Sequence, residues 1–325
     1  MTGAAASGAA AGQAVVEIAA PDIEAYRAGN TGVPYVTAFD SGQPGPHVMV
    51  AALVHGNELC GAHALAFLFE RGFRPRRGRL SLAFCNTEAY LRFDPKDAAA
   101  SRFVDEDFNR VWDPAVLDGP RTSVELRRAR ELRPYVDTVD LLLDVHSMQT
   151  ATRPLMLAGP LDKGEALARQ VAVPELVVAD EGHKAGRRMR DYGGFGDPAS
   201  AKNALLVECG QHWLKSTVEV AIDTVLRFLV AAGAVDAGEV ARHRALPKPP
   251  PQRVIRVTDA VTVETPDFAF AGDFVGLEVI PAAGTVIARD GVREVRTPYD
   301  QCVLIMPSKR LAPGLTAVRL GRFVA

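Results

Sequence analysis

Val54-His55-Gly56-Asn57-Glu58 places an imidazole and a carboxylate three residues apart, where the apolar run 47–54 gives way to a helix-like pattern. On a first helical turn or tight loop, side chains three apart share a face, so His55 and Glu58 can converge on one point. A neutral imidazole and a carboxylate suit Zn²⁺, whose catalytic sites take three protein ligands and leave a position for water. The third ligand is expected at the carboxyl end of a neighbouring strand, where α/β sheets carry their sites. His146, directly after the run 139–145 (VDLLLDV), meets that requirement. Asp144, two residues earlier, points to the same side of an extended strand and is suited to orient that histidine.

A further acid, Glu208, ends the apolar run 204–208 (ALLVE). An unpaired charge at such a place is costly to bury, so it needs a partner or a task, and a carboxylate beside a metal site can serve as general base. The block 102–110 (RFVDEDFNR) sets Arg102, Asn109 and Arg110 among three acids. It reads either as a self-neutralising surface cluster or as a segment whose planar guanidiniums hold an anionic substrate. The glycine-rich stretch 182–196, with Arg187, Arg188 and Arg190, reads as a solvated loop or as a cover over the pocket. Cys60, Cys209 and Ser147 stand close to these motifs, but the two cysteines read as small buried residues, and Ser147 follows a histidine without the context of a nucleophile elbow.

These residues need a scaffold. The runs 47–54, 80–85, 139–145, 154–158 and 204–208 are nearly continuous in apolar residues, the pattern of strands covered on both faces. Helical periodicity falls between them at 58–71, 121–133, 161–171 and 216–232. Alternating strands and helices imply an α/β sandwich. Four prolines in 245–252 (ALPKPPPQ) give a stiff connection, and the Val-, Thr- and Gly-rich remainder reads as strands. The expected organisation is a disordered tail (1–13), a catalytic domain (14–245), a Pro-rich linker (246–252) and a β-rich C-terminal domain (253–325).

With 37 basic against 39 acidic residues, the formal charge of −2 argues against a nucleic-acid surface built on bulk positive charge. No apolar run is long enough to span a bilayer. Four widely separated cysteines suggest free thiols in a reducing, cytoplasmic setting.

HGNE, RFVDEDFNR, DVH and VECG, in that order, resemble the motifs of the succinylglutamate desuccinylase/aspartoacylase family, within the zinc carboxypeptidase-like clan. The resemblance runs from about 47 to 325. It implies a zinc-carboxypeptidase-like mixed sheet sandwiched by helices, with a smaller C-terminal all-β domain. It further implies a zinc-dependent deacylase acting on the amide bond of a small, anionic N-acyl amino acid or related carboxylate-bearing amide. By that resemblance His55, Glu58 and His146 bind one Zn²⁺ per subunit, and Glu208 is general base and acid. Arg102 stabilises the oxyanion, and Asn109 with Arg110 holds the substrate's α-carboxylate. Asn86 matches the asparagine of the family's Asn-Pro-Arg-Ala segment, and Tyr192 falls near a substrate-contacting tyrosine.

There are departures. The segment reads Asn86-Thr87-Glu88-Ala89, without its Pro-Arg, and 197–202 lacks the arginine that aspartoacylases carry shortly before the catalytic glutamate. The acyl group and amino acid are therefore open. No nucleic acid or membrane is expected as a partner, and a homo-oligomer is compatible with the sequence. A carboxypeptidase acting on short peptides and a catalytically inactive metal-binding protein are the alternative readings.

Overall fold

The continuous apolar runs become strands buried on both faces, as their lack of alternation predicts. A computed structural model describes residues 15–182 and 185–324, so the expected tail (1–13) lies outside the described residues. The strands before the proline run are β1 (Val36–Asp40), β2 (His47–Ala52), β3 (Arg79–Phe84), β4 (Leu141–Met148), β5 (Leu155–Leu157), β6 (Leu176–Ala179) and β7 (Asn203–Gln211). Those after it are β8 (Arg253–Thr262), β9 (Phe268–Phe270), β10 (Val279–Ile280), β11 (Val286–Asp290), β12 (Arg293–Arg296), β13 (Cys302–Ile305) and β14 (Thr316–Val324). The helices are α1 (Leu59–Glu70), α2 (Thr87–Tyr90), α3 (Pro114–Leu117), α4 (Val124–Val136), α5 (Asp162–Val171), α6 (Lys215–Ala231) and α7 (Ala237–His243). Two strands escape the sequence pattern, β1 and β6, because each is short and neighbours polar or proline-containing sequence.

The main sheet is mixed, in the order β1-β3-β2-β4-β7-β5-β6-β8-β14-β13-β10. Strands β3, β2, β4 and β7 are parallel to one another, and β5 runs antiparallel to β7. The chain leaves β2 through α1 to reach β3 on one side, then returns through α4 to β4 on the other. Between β2 and β4 the connections diverge, and open α/β sheets place ligands at such a point, outside the carboxyl ends of the strands. One apolar core packs α1, α5 and α6 on one face through residues such as Leu65, Leu167 and Phe228. The other face is covered by α4 and the 108–117 and 189–195 segments, through Leu126, Leu132, Phe108 and Trp112.

Every regular element after residue 252 is a strand, in keeping with the composition there. Strand β8 follows the proline run and pairs in parallel with β6, satisfying an otherwise open edge of hydrogen-bonding groups. Strands β14, β13 and β10 continue the same sheet, while β12-β11-β9 forms a separate antiparallel sheet. The segment after the proline run is therefore hydrogen-bonded directly to the main sheet. Among the described residues no helix is long and apolar enough to cross a membrane.

One ion pair locks the loop after β6. The Arg188 guanidinium grips buried Asp180 with two parallel bonds of 3.0 and 2.9 Å. Burial alone would raise the Asp180 carboxyl, but Arg188 and Arg319 outweigh it and hold it down to about 2. A carboxyl depressed below its unfolded value of about 4 adds stability above that pH and loses it as the pH falls through the folded value. Asp180→Asn should cost about 3–5 kcal/mol at neutral pH, because it takes a buried carboxylate from the Arg188 and Arg319 guanidiniums and leaves Arg188 to Asp191. Urea unfolding of both proteins should show that gap narrowing as the pH falls from about 4 towards 2; a constant gap would discount the pair's ionic contribution.

Candidate active site

Strand β2 ends at Ala52, and the chain turns sharply through Leu53, whose φ of +59° is a left-handed conformation uncommon for a branched side chain. That turn lifts His55 and Glu58 over the end of the sheet, with Glu58 at the entry to α1. Gly56 has no alternative here, since an added Cβ would lie 2.4 Å from both the Ser101 carbonyl oxygen and the Tyr90 nitrogen. Its N–H donates to the Arg102 carbonyl oxygen at 3.0 Å, tying the HGNE turn to the RFVDEDFNR block. His146 comes from the end of β4. Glu208 comes from β7, directly opposite His146 in the parallel register.

Glu58 is 1% exposed and lies at the centre of the cluster. Its Oε1 is 2.7 Å from His55 Nδ1, and its Oε2 is 2.9 Å from His146 Nδ1. The Ser147 amide donates to Oε2 at 3.1 Å and Arg102 donates to Oε1 at 3.3 Å. Burial alone would raise the Glu58 carboxyl, but the two imidazoles hold it well below the usual carboxylate range. The outer nitrogens of both histidines face carboxylates. His55 Nε2 is 2.9 Å from Asp107 Oδ1, and His146 Nε2 is 2.9 Å from Asp144 Oδ2, close but not aligned as a hydrogen bond. Burial would lower His146, yet Asp144 and Glu58 raise it well above the usual imidazole value. So many carboxylates around two imidazoles make a place for positive charge.

A divalent cation fits that place. Ligand atoms of His55, Glu58 and His146 all lie within 4.8 Å of one another, and all three residues are buried. Two imidazoles and one carboxylate are a donor set of catalytic zinc. Both Nδ1 atoms turn inward, and each Nε2 has a carboxylate 2.9 Å away, Asp107 beside His55 and Asp144 beside His146, which places those acids to orient the two histidines.

The three residues open into a cavity of about 350 Å³ that also takes in Arg102, Asn109, Arg110 and Glu208. Glu208 is 7% exposed, and its buried Oε2 has no hydrogen-bond partner. Burial, with a contribution from Glu58, pushes its carboxyl up to about 8. The Asn109 side-chain oxygen accepts from the Met189 amide at 2.9 Å, leaving its amide nitrogen as the donor for a ligand.

Asn86 and Tyr192 do not line this cavity. Asn86 is fully buried and donates to Glu125, whose carboxylate also accepts the backbone amides of Val104, Asp105 and Glu106. It thereby braces the block that carries Arg102 instead of meeting a ligand. The Tyr192 hydroxyl lies between Arg133 and Asp137, with its ring against Trp112 in the second core. In the 182–196 stretch, Ala185 and Arg188 reach the cavity. Arg190 instead donates to the Ala158 and Ala204 carbonyls, and Arg187 faces Asp113 at the surface.

Sequence reasoning passed over Asp107, although the logic that assigned Asp144 to His146 demands a similar carboxylate for His55. It also passed over Met306, Lys309, Arg310 and Arg319, which form the cavity's C-terminal wall. No local signal marks those. Ser147 Oγ meets His212 Nδ1 at 2.8 Å inside the cavity, and burial lowers His212 to about 4, so that imidazole is neutral.

The profile of the succinylglutamate desuccinylase/aspartoacylase catalytic domain matches residues 44–225. No curated protein sequence matches the chain. Similar solved structures include succinylglutamate desuccinylase from Vibrio parahaemolyticus, at 18% identity and a TM-score of 0.65, covering 90% of this chain and 87% of that one. The enzyme of the same name from Vibrio cholerae matches at 18% identity and 0.65, covering 90% and 89%. The product-bound ectoine utilization protein EutE (DoeB) from Ruegeria pomeroyi matches at 18% and 0.60, covering 88% of each chain. At these identities the likeness is one of fold.

The cluster predicts how metal affinity responds to substitution. His146→Ala removes a ligand and should leave the purified protein with little bound divalent ion by elemental analysis. Asp107→Asn keeps all three ligands and should weaken binding about 10–100-fold in a chelator competition. An unchanged affinity in Asp107→Asn would remove Asp107 from this role.

Proposed function

The chain belongs to the succinylglutamate desuccinylase/aspartoacylase family, whose members hydrolyse amide bonds of small acyl amino acids, and on that premise we propose that it is a zinc-dependent deacylase. Its substrate is a small N-acyl amino acid or a related carboxylate-bearing amide. The observation that carries this reading is the in-register pairing of Glu208 with His146, which sets a buried, unpartnered carboxylate oxygen beside the His55-Glu58-His146 cluster. A divalent cation held by those three residues supplies Lewis acidity, polarising the acyl oxygen and acidifying water.

The remaining chemistry falls to the chain's own groups. Glu208 accepts a proton from the attacking water, whose oxygen adds to the amide carbon. A carboxyl raised towards neutrality by burial is matched to taking that proton and giving it back. Arg102, whose guanidinium is braced by Glu58 and Asp107, stabilises the negative charge that develops on the former carbonyl oxygen. Glu208 then protonates the amide nitrogen as the C–N bond breaks, leaving a carboxylic acid and an amine, and the acid's proton passes to the amine to give carboxylate and ammonium. Asn109 and Arg110 hold the substrate's carboxylate and fix its register.

The C-terminal wall supports a deacylase over a carboxypeptidase for short peptides, because Met306, Pro307 and Arg310 line the cavity and limit the room left for a longer chain. A cytoplasmic location belongs to the same reading, supported by four buried free thiols.

Glu208→Gln should retain bound metal and lose about 10²–10⁴-fold in kcat on an N-acyl amino acid. Normal turnover by that variant would falsify the role of Glu208. Arg102→Met should lower kcat about 10²–10³-fold, with a smaller change in KM. A change confined to KM would make Arg102 a ground-state binding residue.

A further inference from the structure

The chain between Glu208 and α6 grips both metal-ligating segments, and the proposed reaction makes no use of it. Directly after Glu208 the parallel pairing of β4 with β7 slips. His146 faces Glu208 but Met148 faces Gln211, so β7 holds one residue more than β4 over that interval. A bulge of this kind re-aims the side chains beside it, and here the neighbour is Glu208. Gly210 makes the bulge possible, with a φ of +119° that residues bearing a Cβ rarely adopt.

Three contacts fasten the bulged segment. Ser147 Oγ lies 2.8 Å from His212 Nδ1, the His212 amide donates to the Met148 carbonyl oxygen at 2.9 Å, and the Trp213 indole donates to the Asn57 carbonyl oxygen at 3.1 Å. Ser147 adjoins the ligand His146, and its own amide donates to Glu58. Asn57 directly precedes Glu58. Of the three contacts, only Ser147–His212 joins two side chains. Both residues line the cavity, at 3% and 1% exposure.

A serine beside a histidine also fits a nucleophile with its base, but such a base is oriented by a third group. His212 Nε2 has no hydrogen-bond partner among the described residues. Burial holds the imidazole at about 4, too weak a base to keep a serine proton at neutral pH. The pair is a fixed hydrogen bond across the bulge.

We propose that His212 is a positioning residue: through its bond to Ser147 it fixes the bulge after Glu208 and so sets the reach of the Glu208 carboxylate towards the metal cluster. This rests on the deacylase reading of the site. Such a residue shows itself in rate, because a misplacement of ~1 Å can cost about 10²-fold while the groups that bind substrate stay in place.

The test uses the zinc-loaded full chain, with N-acetyl-L-alanine, N-acetyl-L-glutamate and N-succinyl-L-alanine for turnover and acetohydroxamate for binding. A hydroxamate chelates the metal and gives its proton to a neighbouring carboxylate, so its affinity reads the placement of Glu208 without turnover. His212→Phe keeps a planar ring and deletes the bond; Ser147→Ala deletes it from the other side. Each should lower kcat about 10–100-fold on the best-cleaved probe, with KM changed less than about threefold and zinc content intact. The double variant should lose no more than the worse single one, as expected of one shared bond. His212→Asn sets a polar atom where Nδ1 stood and should recover most of the rate, whereas His212→Gln offers one only near Nε2 and should not. The reverse order would make His212 a substrate contact and overturn the positioning role.

Calorimetry should show acetohydroxamate affinity falling with kcat in His212→Phe, yet changing less than about twofold when His212→Phe is added to Glu208→Gln. An equal loss in that background would mean that His212 does not act through Glu208, and would overturn the proposal. Full activity in either single variant, at unchanged melting temperature, would do the same. If His212→Phe does not fold, Ser147→Ala and the Asn and Gln variants carry the comparison. A wild-type protein that cleaves none of the three probes but shows the hydroxamate pattern would refute the deacylase reading and leave the positioning role standing.

Discussion

Everything at the site depends on the buried carboxylate of Glu58. A charge this far from water is tolerable only when compensating groups surround it, and here they come from three separate places. His55 belongs to the turn after β2, His146 and the Ser147 amide to the end of β4, and Arg102 to the loop beyond α2. The same convergence assembles a metal-binding donor set. Satisfying one buried acid and building the site are thus a single structural event, and a shift of any contributing element would leave Glu58 under-coordinated.

The loop that carries Arg102, Asn109 and Arg110 has little regular structure, yet it is held at several points. Gly56 receives it by close backbone approach. Glu125, on the first turn of α4, accepts three successive backbone amides of the loop and the Asn86 side chain. Asp107 fastens it to His55 and caps its own short turn through the Asn109 amide. Groups that must stabilise charge without reorganising need this kind of anchorage. Such bracing also explains why Asn86 and Tyr192, although close in sequence to motif residues, serve the framework: both side chains have their polar atoms committed to neighbours.

The C-terminal strands are part of the site because they are part of the sheet. Strand β8 pairs with β6, β14 pairs with β8, and the wall formed by residues 306–319 closes the cavity. Parallel strands buried on both faces need such continuation or capping at their edges. The outcome is a pocket whose floor belongs to strands before the proline run and whose far wall belongs to the last twenty residues.

The sequence by itself determined the chemistry-bearing residues and the local elements. HGNE, DVH and VECG are legible because each lies where an apolar run stops, and runs without alternation mark strands buried on both faces. The block 102–110 was equally visible as charge, but its role was ambiguous, since self-neutralisation and anion binding leave the same composition. Tertiary structure alone decided the rest. It set Glu208 opposite His146, a matter of strand register between segments some sixty residues apart. It gave His55 its carboxylate in Asp107, and it brought Arg319 to the cavity through two strand pairings that no local pattern encodes. Periodicity reports which face of an element is buried, whereas the identity of the neighbour across that face follows from packing of the whole chain.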